Sequence, residues 1–132
     1  MISGPQHSRV KSFVIHGLLV EQGTLDTPEI RDMLAHDARF SFERTFSLDI
    51  ALRRVRDVVF DVVIVHTANP GEEIAEQLRD LRSTIPSAVL ILISRGPKAS
   101  ADRTARRIEA DHVFAAKSLR GPELRRCVEH AV

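Results

Sequence analysis

The sequence has no Trp or Tyr and a single cysteine, Cys127. One thiol excludes an internal disulfide framework and fits a reducing compartment, so a cytoplasmic chain is expected. Long apolar runs are missing too. Stretches such as Val62-Val63-Ile64-Val65 fall far short of the roughly 20 residues that cross a bilayer, which argues against a membrane span. The first residues carry no apolar segment followed by a small-residue cleavage site, which argues against a secretory signal. No charge of one sign dominates: 19 Lys and Arg against 18 Asp and Glu leave a formal +1. Such a balance provides no global field for nucleic acid.

What is present suffices for one folded domain. A chain of 132 residues that is 43% hydrophobic has the apolar content for one core and little room for two. Residues 1–12, polar and holding Gly4, Pro5 and Ser8, read as a flexible leader, and residues 13–132 as the domain. Short apolar runs then alternate with helical patterns. Phe13 to Val20 reads as a first strand. Asp26-Thr27-Pro28-Glu29 reads as a helix start with Asp26 as the acceptor, followed by Ile30, Met33 and Leu34 at helical spacing. Phe40 to Phe46 predicts a second strand, and Ser47 caps a helix burying Leu48, Ala51, Leu52 and Val55.

Phe60 to Val65 is almost continuously apolar, as a central strand covered on both faces should be. Asn69-Pro70-Gly71 marks a turn, and Glu72 to Ile85 a third helix. Ala88 to Ile93 reads as a fourth strand, Ala101 to Ala110 as a weaker helix, Val113 to Ala116 as the last strand. Gly121 to Val132 closes the chain as a helix with Leu124, Cys127, Val128 and Ala131 inward. Strands alternating with amphipathic helices imply an α/β domain, a parallel sheet with helices on both faces. Function then belongs beyond the carboxyl ends of the strands, at Glu21-Gln22, His66-Thr67, Ser94-Arg95 and Lys117-Ser118.

From about Phe13 to Ala131 the chain resembles the receiver domain of two-component response regulators, the CheY-like family. The resemblance is carried by Leu18-Leu19-Val20-Glu21, Phe60-Asp61-Val62-Val63-Ile64-Val65, Leu92-Ile93-Ser94, Val113-Phe114-Ala115-Ala116-Lys117 and the Gly-Pro-Glu-Leu opening of the last helix. It implies a flavodoxin-like, doubly wound (βα)5 sandwich with a parallel sheet in the order 2-1-3-4-5. In that family an Asp ending the third strand takes a phosphoryl group. Acids after the first strand hold Mg²⁺, and a Ser/Thr and a Lys ending the fourth and fifth strands contact the phosphoryl oxygens.

Carried onto this sequence, the resemblance places Glu21 as the first acid, Ser94 as the hydroxyl, Lys117 as the lysine and Phe114 as the aromatic switch position. Gln22 stands where the second acid is expected, His66 where the acceptor Asp is expected, and Ser118 replaces the usual Pro. Mg²⁺ prefers carboxylate, carbonyl and water oxygens, so an amide and an imidazole are a poor exchange and Mg²⁺ binding is expected to be lost. Lys117 is expected to pair with Glu21 or donate to a carbonyl. His66 admits three readings: a polar filler bonded to its neighbours, a phosphohistidine acceptor, or a metal or pH-sensing group. His16 is expected to point elsewhere.

Arg103, Arg106 and Arg107 fall at helical spacing, with Arg120, Arg125 and Arg126 in the last unit. In the family the surface of helix four, strand five and helix five is a common partner or dimer face. The arginines are either a solvated basic face or a docking face for acids such as Glu72, Glu73, Glu76 and Asp80 of another molecule. No helix-turn-helix remains, so direct nucleic-acid binding is not expected. The stretch Leu124 to Val132 resembles receivers whose last helix continues toward a C-terminal output domain. The expectation is thus a non-enzymatic, phosphorylation-independent interaction or dimerisation module. The alternative is a phosphorelay receiver that still accepts phosphate, at His66 or another residue. A flavin or nucleotide binder is disfavoured, because Gln22-Gly23-Thr24 is no glycine-rich phosphate cradle and no G-x-G-x-x-G occurs.

Overall fold

The apolar runs become five strands because each is buried on both faces and can close its backbone hydrogen bonds only by pairing sideways. The computed structural model describes residues 14–22, 25–68 and 72–131, with the side chains of Glu72 and Glu73 excluded. The expected leader over residues 1–12 and the Asn69-Pro70-Gly71 turn lie outside the described residues. The elements run β1 (Ile15–Glu21), α1 (Pro28–His36), β2 (Phe40–Thr45), α2 (Leu48–Asp57) and β3 (Val62–Thr67). They continue with α3 (Glu72–Thr84), β4 (Val89–Ser94), α4 (Lys98–Arg107), β5 (His112–Ala115), a 3-10 turn (Ala116–Ser118) and α5 (Gly121–Glu129). All ladders are parallel and the order is β2-β1-β3-β4-β5.

Two apolar clusters sandwich the sheet. Leu18, Val20, Val63, Val65, Leu90 and Leu92 meet Leu48, Ala51 and Val55 of α2, Leu78 and Leu81 of α3, and Ala105 of α4. On the other face Ile15, Leu19, Val62, Ile64, Ile91 and Ile93 meet Ile30 and Met33 of α1 and Leu124 and Val128 of α5. Gly17 pairs directly with Phe42 across β1 and β2, and a Cβ at Gly17 would lie 2.3 Å from the Phe42 ring. Glycine is required there because the ring occupies the volume a side chain would need.

Several boundaries move from the sequence expectation. β1 runs one residue further, to Glu21, and β3 reaches Thr67, so Glu21 and His66 sit inside the sheet. Helix α4 starts at Lys98, directly after Pro97 at its N-cap position, and stops at Arg107, upstream of the Ala101 to Ala110 expectation. Helix α5 ends at Glu129, short of Val132. Ser47 caps α2 as expected, accepting from the backbone of Asp49 at 3.1 Å and Ile50 at 3.4 Å. Thr27, not Asp26, takes the N-cap place of α1, and its hydroxyl makes no capping bond. Asp26 instead binds Arg31 at 2.7 Å.

Candidate functional site at the carboxyl edge of the sheet

The strand register decides which side chains meet. Paired residues of neighbouring parallel strands point to the same face, and the face alternates with each residue. Arg44 pairs with Leu19, and Glu21 with His66, so Glu21, Arg44 and His66 all face α1 and α5. Ser94 pairs with Thr67, which puts both on the opposite face. The five residues singled out from the sequence therefore do not form one pocket. They divide between two places.

The first place is closed. Glu21 is 1% exposed, and its Oε1 accepts a hydrogen bond from Arg44 Nε. The same guanidinium lies 3.6 Å from Asp26 and stacks over Phe46 with its carbon 5.0 Å from the ring centroid. Glu21 Oε2 has no hydrogen-bond partner. His66 is 2% exposed and wedged between Thr27 Oγ1, 2.9 Å from Nδ1, and Arg95 Nε, which donates to Nε2 at 3.4 Å. With Nε2 accepting, the neutral ring carries its proton on Nδ1 and donates it to Thr27. Burial, and after it the Arg95 charge, hold this imidazole below its ordinary range, so it is neutral at pH 7. Gln22 adds a backbone bond only, from its N–H to the His66 carbonyl at 3.2 Å.

The expected Lys117–Glu21 pair does not form. In this sheet order β1 and β5 are separated by β3 and β4, about 14 Å at ordinary strand spacing, whereas Arg44 comes from the adjacent strand. Lys117 is exposed in the 3-10 turn and makes no hydrogen bond or ion pair among the described residues. His16 is exposed at the other end of β1, with its backbone N–H on Asp61, as expected. Phe114 is half-buried against the α1/α5 cluster, neither under α4 nor wholly outward.

The second place is open. A cavity of about 230 Å³ is lined by Ser94, Arg95, Gly96, Ala115, Ala116 and Lys117. Ser94 is 1% exposed, and its Oγ accepts from the Gly96 N–H at 3.0 Å.

The basic face expected from the sequence is also divided. Arg103, Arg106 and Arg107 are exposed on α4 and Arg126 on α5. Arg125 is not part of it: its guanidinium binds Asp37 at 2.5 Å and stacks on Phe40, tying α5 to the α1–β2 corner. Arg39 flanks the same ring and joins Asp37 to Glu129. These arginines hold the Asp37 carboxyl well below the usual carboxylate range. Cys127 is half-buried in the α1/α5 cluster, and burial pushes its thiol up.

Glu21 is the one carboxylate at the position that the resemblance gives to Mg²⁺, and one of its oxygens is already given to Arg44. Among the described residues no group of three or more His, Cys, Asp or Glu can hold a metal. Sequence reasoning missed two residues of the site, Arg44 and Thr27, and named Arg95 at the strand end without its bond to His66. A cation at an even position of the edge strand, on the face of Glu21, is the one signal that pointed to Arg44.

Topology makes this a doubly wound α/β domain. No family model matches the sequence, and no curated protein shows a significant match. Solved structures do match. The receiver domain of NtrC4 from Aquifex aeolicus is 16% identical with a TM-score of 0.73, over 89% of this chain and 96% of that one. The signal receiver domain of an HD domain-containing protein from Pseudomonas fluorescens Pf-5 is 18% identical with a TM-score of 0.74, over 89% and 94%. The response regulator TrrA from Thermotoga maritima, solved with Mg²⁺ and BeF, is 22% identical with a TM-score of 0.64, over 90% and 100%. The chain has the CheY-like fold of response-regulator receiver domains. Among the described residues no helix is long and apolar enough to cross a membrane.

Proposed function

We propose that this chain is a receiver-type signalling domain that works without phosphorylation, as a cytoplasmic protein-interaction or dimerisation module of a two-component-type pathway. The observation that carries the reading is the Glu21–Arg44 pair beside the neutral, wedged His66. A guanidinium on a tether stands against the carboxylate that a divalent ion would need, and no carboxylate stands at the acceptor position. The domain then has no phosphoryl chemistry to catalyse and no Mg²⁺ to hold. Its state is set by what it binds, and the exposed Arg103 and Arg106 on α4 suit an acidic face of a second copy or of a partner protein.

The test is exposure of the purified domain to acetyl phosphate and Mg²⁺, read by intact mass. No covalent phosphoryl adduct is expected, and no saturable Mg²⁺ binding at millimolar concentration. The Gln22→Asp/His66→Asp variant should still bind Mg²⁺ poorly, and adding Arg44→Gln should restore binding. A phosphoryl adduct on the wild-type protein would overturn the reading.

A further inference from the structure

We propose that copies of this chain associate head to tail, with α4 of one molecule seated in the groove between α1 and α5 of the next. The proposal rests on the interaction-module reading above and names both the partner and the face it uses. Charge is the first argument. Glu29, Asp32 and Met33 of α1 and Gly121, Pro122 and Arg125 of α5 line a groove of about 440 Å³. The carboxylates of Glu29 and Asp32 have no partner among the described residues, because Arg125 is committed to Asp37 and Arg31 to Asp26. On α4, Arg103 and Arg106 are exposed and equally without an acidic partner among the described residues.

Spacing is the second argument. Each pair sits at i, i+3 on its helix, so two cations on one α4 can meet two carboxylates on one α1 in register. Ala99 continues the exposed stripe of Arg103 and Arg106 toward the start of α4 with a small side chain. That suits the α5 wall of the groove, which is open: a Cβ at Gly121 would meet nothing within 4 Å. Topology is the third. α4 packs on the sheet face that carries Leu18 and Val63, whereas α1 and α5 pack on the opposite face. One molecule therefore cannot bring its own two patches together, and a symmetric pair cannot satisfy both patches at once. The contact joins unlike surfaces and passes from copy to copy.

The experiment is sedimentation velocity of the purified protein over a concentration series. Association that grows beyond a dimer is expected at low salt, and raising NaCl from about 0.05 to about 0.5 M should weaken it by about ten-fold. Arg103→Gln/Arg106→Gln removes one patch, and Glu29→Gln/Asp32→Asn removes the other. Each double variant alone should stay monomeric where the wild type associates. Mixed in equal amounts they should form a one-to-one complex and nothing larger, because each retains one intact patch. Arg53→Gln/Arg56→Gln takes two exposed cations from α2 and should associate like wild type; circular dichroism melts report that each variant is folded. A monomeric wild type, an equal loss in the α2 variant, or a mixture that stays monomeric would overturn the proposal. So would self-association of Glu29→Gln/Asp32→Asn, the outcome of a symmetric pairing through α4. The phosphorylation-independent reading fails separately, by a covalent adduct with acetyl phosphate and Mg²⁺.

Discussion

The two halves of the sheet's carboxyl edge are built from similar residues and have opposite characters. Around β1 and β3, the buried ionisable side chains are held internally: Glu21 by Arg44, His66 by Thr27 and Arg95. Around β4 and β5, the cations face an open cavity. The difference comes from neighbours. β1 lies beside β2, whose Arg44 is long enough to reach a carboxylate two residues further along on the same face. β5 is the edge strand on the far side, and among the described residues nothing acidic stands beside Lys117. The closed half should therefore contribute to stability and the open half should not.

That contrast is most exposed to Arg44→Ala. The substitution strands a buried carboxylate without a counter-charge and should cost about 2–3 kcal/mol, read from urea unfolding midpoints. In a Glu21→Gln background the same change should cost much less, and equal costs in the two backgrounds would dissolve the pairing on which the contrast rests. Thr27→Val comes next. It removes the acceptor for the His66 Nδ1–H and should cost about 1–2 kcal/mol.

The pH response sharpens the contrast further. The His66 imidazole is held below its ordinary value of 6.5, so the unfolded chain takes up a proton that the folded chain refuses. Stability is then fully present above 6.5 and declines as pH falls below it. His66→Gln should flatten this slope relative to wild type, and an unchanged slope would mean that the ring is not the neutral wedge described. The smallest effect belongs to the open half: Lys117→Gln should change stability by no more than about 0.5 kcal/mol. A loss as large as that of Arg44→Ala would erase the distinction between the halves.

Much of this organisation is legible in the sequence, for physical reasons that differ from element to element. Buried parallel strands read as continuous apolar runs, so the cores of β3 and β4 stand out in Val62 to Val65 and Ala88 to Ile93. Ser47 identifies the start of α2 because its capping partners lie two and three residues away. Glu21, His66, Ser94 and Lys117 are found because strand ends mark the functional edge. Arg44 and Thr27 are not, since their partners lie 23 and 39 residues away in the chain. Those meetings depend on strand register, which local patterning leaves open. Asp26 and Thr27 illustrate the same limit: both read as capping residues, and tertiary partners claim both.

The contact between Gly17 and Phe42 makes the two positions a single shared volume, which either a ring or a second side chain can fill but not both. Gly17→Ala alone then behaves as an overfilled core, and Phe42→Leu alone as an underfilled one. Introduced together, the two exchanges should compensate. In related chains, residues at these two positions should trade bulk across the strand pair, so that a side chain at the first accompanies a smaller one at the second.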